Sequence, residues 1–343
     1  MLERPRRLAR KLRRHAGAIL VDNFFRGLAT AGRLHPHARP AHHNVEVLRD
    51  IPYLPTGRRA HRLDVYRPTQ KPGPWPTVLY VHGGGFRILS KDSHWIMGLA
   101  FARAGYIVFN ISYRLAPRHP FPAALEDACA AYGWLAQHGA AYSADLERLA
   151  LAGESAGGNL VTALAIAASY ERPEPFAAQV FATGLTPRAA LPACGMLQVS
   201  DTARFGRIFP NLSPFLIDRL VEIEEAYLRR ARAGSLDLAD PLVVLERAQA
   251  PARPLPAFFV PCGTKDPLID DSRRLARALE RLGVPCETRY YEGEPHAFHA
   301  LVTRPNARRC WGHTYAFLER ALAVTEITSE TPSSARSGVR VGS

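Results

Sequence analysis

The chain has 343 residues, 47% of them hydrophobic, and a formal net charge of +13. That length suits one large α/β domain or two modest ones, and the apolar share suffices for a full core. No apolar run reaches membrane-spanning length, and beyond the N-terminus the charge is too mild, and too free of recognised motifs, for nucleic-acid binding.

Residues 1–40 carry ten basic and two acidic side chains. Leu8, Leu12, Ala16 and Ile19 fall there at helical spacing among arginines. Such a helix can make weak peripheral contact with the inner, anionic face of a membrane. Its narrow apolar face favours the plainer reading, a solvated basic arm packed on the domain. A secretory leader fits poorly, because the apolar core is short and Asp22 interrupts it.

Strands are expected at Val45–Ile51, His61–Tyr66, Thr77–Val81, Tyr106–Ser112, Arg148–Ala152, Gln179–Thr183, Ala257–Pro261 and Cys286–Tyr291. The first two have no helix between them and read as an antiparallel edge. Helical patterns cover Leu99–Ala104, Pro122–Gln137, Gly157–Ser169 and Ser272–Leu282, the last stopped by Gly283. Strands alternating with helices predict an α/β fold with a mostly parallel sheet covered on both faces. Residues 184–240 hold helical runs, notably Ser213–Arg232, and no clear strand. They read as a helical cap insertion, joined by the N-terminal segment (1–40), over a core of 41–183 and 241–324. The tail, 325–343, lacks periodicity and reads as disordered.

The five cysteines (Cys129, Cys194, Cys262, Cys286 and Cys310) are odd in number, widely spaced and form no C-x-x-C pair. That argues for reduced thiols in the cytoplasm and against a disulfide frame or zinc site. The histidines form no metal-spaced pair with carboxylates. Cys262 and Cys286 sit in or near strands and read as small core residues.

Chemistry concentrates in three places. Gly153-Glu154-Ser155-Ala156-Gly157 lies between a predicted strand and a predicted helix. Chance gives about 0.08 G-x-S-x-G matches in this composition, so the context carries the weight. Small residues allow a tight turn with the serine in a strained backbone, at a helix start that offers free N–H groups to a developing anion. His82-Gly83-Gly84-Gly85-Phe86 follows the third strand and bares backbone N–H groups of the kind an oxyanion hole needs. Asp266 and His296 follow the seventh and eighth strands, on the same sheet edge as Ser155. The order Ser…Asp…His suits a nucleophile, Ser155, whose proton passes to His296 while Asp266 holds the imidazole. Asp270 and Asp271 compete with Asp266 but lead into a helix, where capping or solvent suits them better. His299 competes with His296.

These blocks, with Tyr113-Arg114-Leu115-Ala116-Pro117 and Phe121 to Asp127, resemble the hormone-sensitive-lipase-like (bacterial family IV) esterases of the α/β-hydrolase superfamily over residues 45–320. The resemblance implies an eight-stranded α/β-hydrolase fold, catalytic Ser155, Asp266 and His296, and oxyanion donors at the N–H groups of Gly84, Gly85 and Ala156. Which two of Gly83, Gly84 and Gly85 donate is left open. It also implies small-molecule esters of short to medium acyl chains as substrates, and no metal or organic cofactor. An amide, a thioester or another acyl acceptor would use the same machinery, and a non-catalytic binder is the reading from another class. Glu154 stands where bacterial members commonly have Asp, and Asp240-Pro241-Leu242, in place of Ser-Pro-Leu, reads as a structural turn. Arg114 is expected to pair with Glu126 or Asp127. Nothing in the sequence decides the oligomeric state.

Overall fold

The computed structural model describes residues 17, 22–23, 27, 29–231 and 236–323. The expected basic helix of the first fourteen residues and the tail from 325 lie outside the described residues. Within them the chain runs β1 (Val45–Pro52), β2 (Arg62–Pro68), β3 (Trp75–Val81), α1 (Trp95–Arg103), β4 (Ile107–Ile111), α2 (Ala123–His138), β5 (Ala144–Glu154), α3 (Ala156–Ser169) and α4 (Pro175–Ala182). It continues with β6 (Ala189–Ala193), α5 (Ala203–Ile208), α6 (Pro214–Tyr227), α7 (Pro241–Glu246), β7 (Ala257–Gly263), α8 (Ile269–Arg281), β8 (Cys286–Tyr291) and α9 (Pro305–Ala321). No helix of the described residues is long and apolar enough to cross a membrane.

The strands form one sheet in the order β1-β2-β4-β3-β5-β6-β7-β8. β2 runs antiparallel to β1 and β4, and the remaining pairs are parallel. Successive side chains on a strand point to opposite faces, so a sheet covered on both sides needs apolar residues at both parities. Leu79, Val81, Phe109, Leu149, Leu151 and Phe258 enter the core shared with α2, α3 and α8. Their strand neighbours Val78, Tyr80, Val108, Ala150, Ala152 and Phe259 enter the core shared with α1 and α9. Helix α3 is buried along its whole length, which explains its lack of a polar face.

One expected strand is displaced. Gln179–Thr183 belongs almost entirely to α4, which opens with Pro175 at its first turn after Glu174. The sixth strand is Ala-Ala-Leu-Pro-Ala at 189–193, inside the segment read as strand-free. A short apolar run does not distinguish strand from helix by period, and this strand has no β-branched residue to mark it. Its pairing with β5, Ala150↔Ala189 to Glu154↔Ala193, makes it a strand.

The register then builds an edge. Val81 lies beside Gly153, Glu154 beside Ala193, and Gly263 beside Tyr291. The C-terminal ends of β3, β5, β6, β7 and β8 therefore stop together. The segments at 82–86, 155, 194, 266 and 296 all emerge at that edge, where α/β sheets hold their ligands.

Candidate active site

A single residue, Ser155, separates β5 from α3, and its backbone sits at φ 55°, ψ −117°. That conformation costs a non-glycine residue about 1–3 kcal/mol. The surroundings over-determine it: Ser155 N–H donates to Ala193 O (3.0 Å), and Ser155 O accepts from Asn159 (3.1 Å) and Met196 (3.1 Å). A Cβ on Gly157 would stand 2.0 Å from Val81 O and 2.8 Å from His82 O. Only glycine lets the end of β3 lie this close to the start of α3.

The glycine loop is braced from both sides. His82 stacks on Tyr113 at 4.2 Å between ring centres, and the Tyr113 hydroxyl donates to His82 O at 2.9 Å. Gly84 and Gly85 take φ of 110° and 57°, a region glycine enters freely. The N–H of Gly83 donates to Glu154 Oε1 at 2.5 Å. No acceptor among the described residues takes the N–H of Gly84 or Gly85. Ala156 opens α3, where the helix supplies no acceptor. Phe86 stacks on Tyr227 of α6 (3.7 Å), and Arg87 pairs with Glu222 of the same helix (2.7 Å).

Beneath this loop is a buried polar cluster the sequence reading missed. Glu154 accepts from the Tyr80 hydroxyl and, at 2.7 Å, from His94 Nε2. Burial opposes both charges, but each outweighs burial for its partner: the Glu154 carboxyl is held low and His94 is raised. His82, buried beside His94, is held neutral, at about 3, first by burial and then by that neighbour.

At the far side, His296 Nδ1 and Asp266 Oδ2 are 2.7 Å apart. The Asp266 side chain is fully buried while that of His296 is 37% exposed, and Asp266 Oδ1 accepts from Leu268 N–H at 2.9 Å. Burial works to lower the imidazole pKa, and the Asp266 carboxylate overcomes it and raises the pKa well above the usual value. An exposed imidazole oriented by a buried carboxylate can take and return a proton at its free nitrogen. Among the described residues the Ser155 hydroxyl makes no hydrogen bond to it; resting sites are often loose at this contact and tighten around substrate.

The competing residues have other partners. Asp271 is not solvated: it is buried, and accepts from Leu197 N–H (2.8 Å), Gln198 N–H (3.2 Å) and Arg204 Nη2 (2.5 Å). Asp270 lies in the first turn of α8. Buried His299 is lowered to about 4, chiefly by burial. Arg114 reaches both expected carboxylates, Asp127 at 2.9 Å and Glu126 at 2.8 Å. Asp240 Oδ1 caps the N–H groups of Val199 (2.5 Å) and Ser200 (3.1 Å), a structural role. A second residue missed from sequence is Cys194, next after β6, whose ligand atom and those of Asp266 and His296 lie within 4.8 Å of one another.

Residues 78–300 match the model of a family described as the alpha/beta hydrolase fold. Esterase LipI of Mycobacterium tuberculosis is 32% identical over 270 residues, which is 77% of this chain and 76% of that protein. The crystal structure of an esterase from the bacterial hormone-sensitive lipase family has a TM-score of 0.64 at 26% identity, covering 82% of this chain and 86% of its own. That of esterase LipW from Mycobacterium marinum has a TM-score of 0.69 at 24% identity, covering 89% and 90%, a likeness of fold. The chain belongs to the alpha/beta hydrolase fold family, among its hormone-sensitive-lipase-like esterases.

Proposed function

We propose that Ser155, His296 and Asp266 carry the reaction of this carboxylesterase-type hydrolase. Ser155 Oγ attacks the ester carbonyl and passes its proton to His296 Nε2. The oxyanion that forms accepts from the N–H groups of Gly84, Gly85 and Ala156, while Gly83 stays tied to Glu154. His296 then protonates the departing alcohol, and water, activated by the same imidazole, releases the acid. Asp266 holds the tautomer that leaves Nε2 free. The observation that carries this reading is the Asp266–His296 hydrogen bond, made on the same sheet edge as a serine strained between strand and helix.

We assign the roof of the site to α5 and α6, the described helices of the segment 184–240 read as a cap, and short to medium acyl esters as substrates. Contacts of α6 with the glycine loop support the assignment: besides Phe86 and Arg87, Gly85 lies so close to Ile223 that an added Cβ would be 2.8 Å from it.

The test is hydrolysis of a 4-nitrophenyl ester series, acetate to palmitate, by wild type and Ser155→Ala. Turnover of the short esters that drops about a millionfold in the variant is expected. A variant as active as wild type removes Ser155 from the reaction.

A further inference from the structure

We propose that Cys194, Asp266 and His296 form a capture site for a thiophilic divalent cation, zinc or cadmium, which switches the hydrolase off. The effect on rate rests on the role proposed above for His296; the binding itself does not.

Three neighbouring strands build the site. Cys194 follows β6, Asp266 follows β7 and His296 follows β8, and these strands are adjacent in the sheet. Cys194 N–H donates to Pro261 O at 2.9 Å, which ties the cysteine to β7. Its backbone stands at φ 39°, a strained region for a residue with a Cβ, so a thiol is held where glycine would sit more easily. One ligand atom from each of the three side chains lies within 4.8 Å of the others. Zinc bonds of about 2.3 Å to sulfur and about 2.0–2.2 Å to nitrogen and oxygen need ligands about 3.5 Å apart in a tetrahedron. Side-chain rotation has to bring the more distant ligand atoms together and, for coordination through Nδ1, part that nitrogen from Asp266 Oδ2, now 2.7 Å away.

The charges suit a site with two buried walls. A thiolate, a carboxylate and a neutral imidazole neutralise a divalent cation, so closing the site leaves no net buried charge. Water fills the fourth position. Cys194 and Asp266 are 2% and 1% exposed, while the His296 side chain is open to solvent and gives the entry path. On binding, the thiol proton, and one ring proton where His296 is protonated, leave to solvent as the metal–ligand bonds form.

Capture disables the base by either ring nitrogen. A metal at Nε2 occupies the lone pair that would take the Ser155 proton. A metal at Nδ1, the nitrogen facing Asp266, displaces that hydrogen bond, and the ring's one proton moves to Nε2, which then has no lone pair to offer. Sequence spacing gives no sign of this site, because its three ligands lie far apart along the chain.

The test follows ester hydrolysis against rising zinc chloride in chelator-free buffer. In parallel, cadmium binding is followed by thiolate-to-metal charge-transfer absorption. Wild type, Cys194→Ser and Cys194→Ala are compared, each with its own metal-free rate. Wild type is expected to be inhibited by one cation per chain, to recover with EDTA, and to show a charge-transfer band saturating at the same ratio. Both cysteine variants lose the band, and their half-inhibiting zinc concentration rises at least about 100-fold, the upper end of what loss of an outer-shell partner costs. Equal zinc sensitivity in all three overturns the proposal and places the cation elsewhere, for instance on the surface histidines His35 and His37. His296→Asn, a change at an exposed side chain, guards against a misfolded cysteine variant: it must weaken cadmium binding at least about 10-fold, and unchanged affinity overturns the site. A band with the right stoichiometry but no ester turnover in wild type keeps the site and removes the catalytic reading. Turnover with neither band nor inhibition does the reverse.

Discussion

Gly157→Ala adds one methyl group at the glycine that, among those described, leaves an added Cβ the least room. The new Cβ would stand 2.0 Å from Val81 O and 2.8 Å from His82 O, whereas ordinary contact begins at 3.4 Å. Both neighbours are backbone at the end of a central strand, so no side chain can swing away. Strand β3 and helix α3 must separate by about 1.4 Å, and the movement falls directly between the glycine loop and Ser155. Overpacking of a rigid core costs about 1–3 kcal/mol, and a misplacement of about 1 Å at a reacting centre costs about 100-fold in rate. The expected result is a folded variant, less stable by about 2–3 kcal/mol in urea, with kcat on a short 4-nitrophenyl ester reduced at least about 100-fold. Gly133→Ala is the control. Gly133 also lies inside a helix, α2, but nothing stands within 4 Å of an added Cβ; alanine there should stabilise by about 0.5–1 kcal/mol and leave kcat unchanged. If Gly157→Ala keeps both stability and rate within the range of the control, the close approach of β3 to the serine turn does not govern the site's geometry.

Asp266→Asn removes the charge that raises the His296 pKa against burial, so the acid limb of the kcat/KM profile should move to lower pH. The rate at neutral pH should fall by about 10,000-fold as the imidazole loses its tautomer; an unmoved limb would show that another group sets it. Asp271→Ala strands Arg204, which is 5% exposed, without its carboxylate. Equilibrium unfolding should register a loss of about 3–5 kcal/mol, and a loss below about 1 kcal/mol contradicts a buried ion pair. His94→Gln tests the cluster under the loop. The folded His94 pKa is raised above its usual 6.5, so its stabilising effect is full below that value and is lost as pH rises through the folded pKa. The variant's deficit, about 3 kcal/mol at acid pH, should shrink in alkaline solution; a deficit independent of pH means that His94 is neutral when folded.

The parts of the molecule most legible in the sequence are those where local backbone demands leave little choice of residue. The turn at Ser155 and the loop at Gly83 to Gly85 need glycines at fixed offsets from a strand end, and the strand pattern around them is unambiguous. The antiparallel edge follows from a missing crossover helix. The sixth strand is not legible, because Ala-Ala-Leu-Pro-Ala owes its extended form to pairing with β5, while the more strand-like run at 179–183 lies mostly in a helix that opens four residues earlier at Pro175. Tertiary partnerships stay hidden for the same reason. The association of His94 with Glu154, of Arg204 with Asp271, and of Cys194 with His296 joins residues far apart in the chain, and no periodicity records it.

Helix α6 both lies over the glycine loop and grips it, through Tyr227 on Phe86, Glu222 on Arg87 and Ile223 against Gly85. On the roles proposed above for α6 and the glycine loop, selectivity and turnover are not independently adjustable in this chain. A replacement for this proposed roof, grafted from a relative, is expected to alter the choice of ester and, through those three contacts, to disturb the loop proposed to hold the oxyanion. Laboratory evolution toward bulkier substrates should meet an early loss of rate, recovered by second changes in residues 83–87 rather than in the roof itself.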